Sequence, residues 1–351
     1  MEKVSRLKNK LKKDLKSTVL IGNGINRAMP GQGIGWGSLL ANLQRTNNAL
    51  HIDLENEIKP FPLSFEEIIF SSSGSFDMNM RSAKESIALA FKPAQQNILH
   101  ERIMHSKNIE DVITTNYDYA FEKVLVNEFD NNGGRLPNST TETKHSIKRR
   151  CNLEINKELT KSVWHIHGEI NHNQKFKPGE YASQSIQIGY DHYGEYLNKI
   201  HDYLKGLKYT NQEKIENKLK GNIEGVSWID KFFTDKIIII GLDLDFSEID
   251  LWWLFNYRKK VFKRNPNLAM NKIVYYQSLV AKEYDNTVID LRGLNDKELD
   301  EYESKQFTKQ LKERKWKAKK DVLTTLGVEF EEILCSSYRE YYEEVFKREN
   351  I

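Results

Sequence analysis

Short apolar runs recur along this chain, and each one breaks into small or polar residues. Val112 and Ile113 belong to one such run, which gives way to Thr114, Thr115, Asn116 and Asp118. Branching at Cβ suits a short buried strand. The same layout occurs where residues 18–21 meet Gly22-Asn23-Gly24-Ile25-Asn26, where 163–166 meet His167-Gly168, and where 237–240 meet Gly241-Leu242-Asp243. Residues 273–276 and 328–332 read as later strands. Helical patterns separate these runs, so the alternation predicts an α/β fold: a Rossmann-like parallel sheet of about six strands flanked by helices. Ligands of open parallel sheets sit beyond the carboxyl ends of the strands, so the polar breaks are expected to share one site.

Between the strands the pattern is mainly helical. Val4, Leu7, Leu11 and Leu15 recur at helical spacing among lysines, which predicts a helix against the sheet edge with a solvated basic face. Residues 42–106 read as an inserted helical module, longer than a plain crossover requires. It contains a Pro60-Phe61-Pro62 break, and a capping box is expected at Ser64 to Glu67. Ser38 is expected to cap a helix beginning at Leu39. Residues 119–129 read as a helical segment after the Asn116 turn. Residues 130–160, with a basic patch at Lys148-Arg149-Arg150, read as a loop-rich excursion, and 172–235 as a second insertion of helix and loop. Lys-rich 303–323 and amphipathic 338–347 read as the last helices. The whole of 1–351 is expected to form one domain.

Composition narrows the function classes. The 351 residues are 39% hydrophobic and 29% charged, with 53 basic against 50 acidic side chains and a net charge of +3. That balance gives no electrostatic case for nucleic acid as a direct partner. The two cysteines, Cys151 and Cys335, cannot build a disulfide framework or a four-cysteine zinc site, and they fit a reducing compartment. No apolar run approaches membrane-spanning length, and a cytoplasmic location is expected.

The polar breaks carry the chemistry. Gly22-x-Gly24 after a strand permits close backbone approach to a phosphate. Position 27 is Arg, so the full Gly-x-Gly-x-x-Gly spacing is absent, and hydride-transfer dehydrogenases drop in rank. His165 and His167 fall on one face of a strand. His167, at its end before Gly168, is the ring expected to be exposed and working, and His165 is expected to be a hydrogen-bonded core residue. With no third ligand at motif spacing, no metal is expected. Asp118 could instead cap the following helix. The acidic groups Asp243-x-Asp245 and Glu248-x-Asp250 read as the start of a helix rather than a cation site.

Taken in order, Gly22-Asn23-Gly24-Ile25-Asn26, Thr114-Thr115-Asn116-Tyr117-Asp118, His167-Gly168 and Gly241-Leu242-Asp243 resemble the signature blocks of the sirtuin (Sir2) superfamily. More narrowly they resemble its bacterial SIR2-like branch of antiphage defence. The resemblance spans roughly 17–345. It implies NAD⁺ as substrate, Asn116 and His167 as catalytic groups with His167 as general base, and Asp118 at the nicotinamide carboxamide or beneath the turn. It further implies cofactor contacts from Gly22, Asn23, Gly24, Asn26, Arg27 and Thr115, with Gly241 and Asp243 at the adenosine ribose. Sirtuin deacylases carry a zinc ribbon between the histidine block and the later strands, and this interval has no cysteine. Hydrolysis of NAD⁺ to nicotinamide and ADP-ribose is therefore the expected reaction. Protein deacylation, ADP-ribosyl transfer or a non-catalytic NAD or ADP-ribose sensor are the alternatives. Such an activity would need restraint, so a homo-oligomer or a partner such as a HerA-like ATPase or a short Argonaute is the expected trigger.

Overall fold

The computed structural model describes residues 17–351 apart from 30–32, 50, 53, 55–58, 125–138, 141–144, 157–158, 172–174, 176–178, 208–212, 222, 224 and 281–295. The amphipathic stretch at Val4 to Leu15, the end of the 119–129 segment and much of 130–144 lie outside the described residues. In chain order the elements are β1 (Ser17–Ile21), α1 (Gly24–Arg27), α2 (Trp36–Thr46), α3 (Phe61–Ser71), α4 (Phe76–Phe91), α5 (Ile98–His105), β2 (Ile109–Thr114) and α6 (Ala120–Lys123). Next come β3 (Ser139–Thr140), β4 (Arg150–Asn156), β5 (Leu159–His165), a 3₁₀ turn (Ala182–Ser185), α7 (Tyr190–Lys205), α8 (Ile215–Lys218), α9 (Trp228–Thr234) and β6 (Lys236–Ile240). The chain closes with α10 (Ile249–Arg264), β7 (Ile273–Val280), α11 (Asp296–Thr325), β8 (Glu329–Cys335) and α12 (Tyr338–Glu349).

The eight strands among the described residues join one sheet in the order β3-β4-β5-β2-β1-β6-β7-β8. From β5 to β8 every neighbouring pair is parallel, which bears out the six parallel strands read from the sequence. The other two, β3 and β4, are antiparallel and correct the reading of 130–160 as loop. The basic patch hid them. Arg150 lays its guanidinium 4.8 Å from the Trp164 ring centroid across the β4–β5 hairpin, and Arg149 is buried against Glu169 at 3.3 Å. Arg149 is thus not a solvated charge, and Arg150 is only partly exposed.

Alternate residues of each central strand enter different cores. Val19, Ile21, Val112, Val163, Ile238 and Ile240 pack on one face. Leu20, Ile113, Trp164, Ile237 and Ile239 pack on the other. A parallel sheet covered on both faces needs such near-continuous apolar strands. The module between β1 and β2 covers the first face through Leu39, Leu43, Phe65, Ile68 and Ile87. Helix α7 covers the second through Tyr196, Ile200 and Tyr203, with Trp228 and Phe232 of α9 beside it.

Two helix starts differ from expectation. Helix α2 begins at Trp36 with Gly35 in the N-cap position, so Ser38 lies inside its first turn. Helix α3 begins at Phe61 behind Pro60, which makes Pro60-Phe61-Pro62 a start rather than a break. Ser64 is consequently interior, and Glu66 instead accepts the backbone N–H of Tyr190 at 2.6 Å. Among the described residues no helix is long and apolar enough to cross a membrane.

Candidate active site

Strand β1 has β2 on one side and β6 on the other, so the chain direction switches across it. At such a switch point the carboxyl-end turns splay apart and leave a crevice. Backbone hydrogen bonds tie those turns together. Thr115 N donates to Ile21 O at 3.1 Å, Ile166 N to Thr114 O at 3.0 Å, and Gly24 N to Gly241 O at 2.8 Å.

This last contact explains the glycines. A Cβ on Gly24 would lie 2.6 Å from Gly241 O, and one on Gly22 would lie 2.9 Å from the same atom. Gly241 itself has φ +58°, and a Cβ there would fall 1.9 Å from Tyr342 Oη. The turn after β1 is thus glycine-rich because the turn after β6 presses against it. Because Gly24 N–H is already engaged, a phosphate entering here would meet the neighbouring groups instead.

A chain of amides fixes the floor of the crevice. Asn23 Nδ2 donates to Ile34 O at 2.7 Å, and Asn26 Nδ2 donates to Asn23 Oδ1 at 3.0 Å and to Asp118 Oδ2 at 2.9 Å. The other oxygen of Asp118 accepts from Ala120 N at 3.0 Å. Asp118 therefore joins the β1 turn to the start of α6. Burial raises its pKa, and the hydrogen bonds from Ala120 and Asn26 oppose that rise. Asn116 is held by its backbone N–H on Thr114 Oγ1 at 3.0 Å, while its side chain makes one long contact, 3.4 Å, to Gly22 O.

The two histidines have separate surroundings. His165 is buried, with Nε2 2.7 Å from Glu122 Oε1 and Nδ1 3.1 Å from Asn116 O. It is a core residue that braces the Asn116 turn. Burial opposes its charge, but Glu122, Glu169 and the Asn116 carbonyl together outweigh burial and raise its pKa to about 9. His167 follows the strand. Its ring is 2% exposed and enclosed, not exposed as the sequence suggested, yet it forms part of the crevice wall. Nε2 lies 3.0 Å from Asp250 Oδ2, Nδ1 lies 3.7 Å from Glu248 Oε2, and Tyr193 packs edge-on against the ring.

The crevice is a cavity of about 1180 Å³, at the upper end of what small-molecule sites enclose. Asn23, Gly24, Arg27, Thr115, Asn116, His167, Gly241 and Asp243 line it. Gly22, Asn26 and Asp118 do not, and support residues that do. Asp243 projects outward with its side chain 82% exposed and pairs with Lys319 of α11 at 2.8 Å.

Sequence reasoning missed several residues at or behind the wall. Glu248 and Asp250 do begin α10, as their acidity suggested, but they also face the His167 ring. Burial lifts the Glu248 carboxyl to about 7, with His167 opposing and Asp250, Asp245 and Asp243 adding to the rise. With His167 they bring ligand-type atoms within 4.8 Å of one another, and the 3.0 Å contact has hydrogen-bond length. Tyr193, Tyr342 and Lys319 also line the cavity, and no motif announced them.

Sheet order, switch-point crevice and cavity size together define a Rossmann-like α/β protein with room for a dinucleotide. Residues 110–251, less than half of the chain, match the family model of the SIR2-like domain, and over that span the chain is similar to it. The matched span runs from β2 into the first turn of α10. It includes Asn116, His167, Gly241, Glu248 and Asp250 and leaves out the β1 turn. Among curated proteins none matches the chain.

Proposed function

We propose that this chain is an NAD⁺ glycohydrolase that releases nicotinamide and leaves ADP-ribose. The observation that carries the reading is the meeting of Asn116 and His167, 51 positions apart by their numbers, on the wall of one dinucleotide-sized cavity. Cleavage of the nicotinamide–ribose bond develops positive charge on the ribose, as glycoside hydrolysis does. Carboxylates beside that centre stabilise the charge in an enclosed site, and Glu248 is at hand in the same wall. The Asn116 amide, with a single weak internal contact, is free to orient a ribose hydroxyl or the attacking water. Arg27, Lys312 and Lys319 give the cavity cationic groups for a pyrophosphate.

Water as acceptor is favoured over a protein side chain by what fills the interval after His167. There is no cysteine there for a zinc ribbon, and α7 supplies Tyr193 to the wall instead. In this reading the chain is an antiphage effector whose depletion of NAD⁺ is held in check until assembly with copies of itself or with a partner protein.

The test is nicotinamide release from NAD⁺ by wild type, Asn116→Ala and His167→Ala, with products identified and with neighbouring gene products added. We expect free ADP-ribose from wild type and a loss of about 100-fold or more in Asn116→Ala, with folding retained. Acetyl-ADP-ribose or modified protein would favour transfer. Binding without turnover in every condition would favour a sensor.

A further inference from the structure

The environment of His167 conflicts with an imidazole that waits to accept a proton. Both ring nitrogens face carboxylates: Nε2 meets Asp250 at 3.0 Å and Nδ1 meets Glu248 at 3.7 Å. A neutral imidazole has one N–H and one lone pair, so it would aim that lone pair at a carboxylate oxygen. An imidazolium donates from Nε2 to Asp250 and turns a positive Nδ1–H toward Glu248, an ion pair at 3.7 Å rather than a hydrogen bond, and has no such conflict. Asp250 also needs the charge. It is fully buried, and its second oxygen lacks a hydrogen-bond partner. A buried carboxylate in that state is costly unless a cation lies against it. Glu248 differs from Asp250 in one respect that matters: its side chain is 15% exposed and faces the cavity, whereas Asp250 lies behind the ring and outside the cavity wall.

We propose that Glu248, rather than the His167 ring, takes the proton from the attacking water, and that Asp250 holds His167 as an imidazolium that positions the Glu248 carboxylate. The proposal rests on the hydrolase reading for the identity of the nucleophile. The bond from C1′ of the ribose to the pyridinium nitrogen breaks, and its electron pair neutralises the nicotinamide ring. A bond forms from water oxygen to C1′, the water proton passes to Glu248, and from there it leaves to solvent through the cavity. No electron is gained or lost. With Glu248 ionised, the trio of two carboxylates and one imidazolium carries a net negative charge, which favours the cationic ribose.

The groups facing Glu248 make its ionisation distinctive. His167 comes from the turn after β5, Tyr117 from the turn after β2, and Tyr193 from α7; Asp243, Asp245 and Asp250 come from its own segment. His167 is the one cation in this set. Burial and three neighbouring acids leave the Glu248 carboxyl titrating at about 7. Asp250 and Glu248 raise the His167 pKa against the effect of burial. A coupled pair titrates as a unit, so the step near neutrality belongs to both groups.

The test reads the resting full-length protein by imidazole ¹⁵N resonances across pH 5–10, with the His167 signals assigned through His167→Gln. We expect imidazolium shifts that persist through neutrality and register one step near pH 7, which disappears in Glu248→Gln. If the ring is neutral at pH 7, or if the step survives in Glu248→Gln, the proposal is overturned. Glu248→Asp, which keeps the carboxylate at shorter reach, should retain the step and serves if the Gln variant is poorly folded. The second readout is the pH–rate profile. Wild-type kcat should rise with pH through about 7, and Glu248→Gln should lose that limb together with about 10²–10⁴-fold in kcat. A wild type that releases no nicotinamide would count against the hydrolase reading alone, since the ¹⁵N titration needs no turnover.

Discussion

Tyr342 is 1% exposed, its hydroxyl has no hydrogen-bond partner among the described residues, and it lies at the Gly241 turn on the cavity wall. A buried donor left unmatched is unusual, and in a ligand site it is a group waiting for the ligand. Tyr342→Phe should raise KM for NAD⁺ about 3- to 10-fold with kcat little changed, the value of one modest hydrogen bond. Its thermal stability should not fall, because the hydroxyl makes no internal contact to lose. A collapse of kcat at constant KM would instead assign the hydroxyl to the transition state. His165 gives a prediction with a pH sign. Its folded pKa, about 9, lies above the ordinary imidazole value of 6.5. The stability contributed by its pairing with Glu122 is thus fully present below pH 6.5 and is lost as pH rises to about 9. Chemical denaturation should show wild type losing stability over that window, and His165→Gln should flatten the dependence. Neither residue is distinguishable by type alone: the chain has 16 tyrosines and 9 histidines, and the surroundings that give each its role are remote in sequence.

At the scale of elements, the six parallel strands were legible because both faces of the sheet are buried. The central strands are then near-continuous apolar runs with a polar end, as in 237–240 before Gly241. Strands β3 and β4 were not legible, since Arg150 covers Trp164 from the hairpin and interrupts any apolar pattern. Helix starts were misread for a related reason: Ser64 and Glu67 have capping chemistry, but Pro60 and Pro62 had already fixed the first turn. Lys161 of β5 shows how far an element depends on a contact that periodicity cannot reveal. It is 1% exposed, and its ammonium donates to the carbonyls of Ile103, Ser106 and Ile109, closing the carboxyl end of α5 and the start of β2. Lys161→Met keeps the aliphatic stem and strands those carbonyls. It should lower the unfolding free energy by about 1–3 kcal/mol, seen as a lower denaturant midpoint at unchanged slope.

For the molecule as a whole, the site is distributed. Asp250 meets His167 across 83 positions, and the matched domain ends before the elements that complete the cavity. Lys312, Trp316 and Lys319 of α11 and Tyr338, Tyr341 and Tyr342 of α12 line the same cavity as the Asn116 and His167 turns. The motif blocks therefore pointed to the floor of the cavity, while its C-terminal wall had no motif to mark it. If that wall receives the phosphates of a dinucleotide, ADP-ribose, the product of the proposed reaction, should stabilise the full chain by mass action. At 100 times its Kd the gain is about 2.7 kcal/mol, visible as a rise in Tm. Lys312 and Lys319 would draw the pyrophosphate partly through solvent, so the apparent Kd should weaken as salt rises from low to physiological strength. Nicotinamide alone, lacking phosphates, should show neither the full shift nor the salt dependence. A Tm unmoved by millimolar ADP-ribose at low salt would mean that this cavity, whatever its volume, is not where the dinucleotide binds.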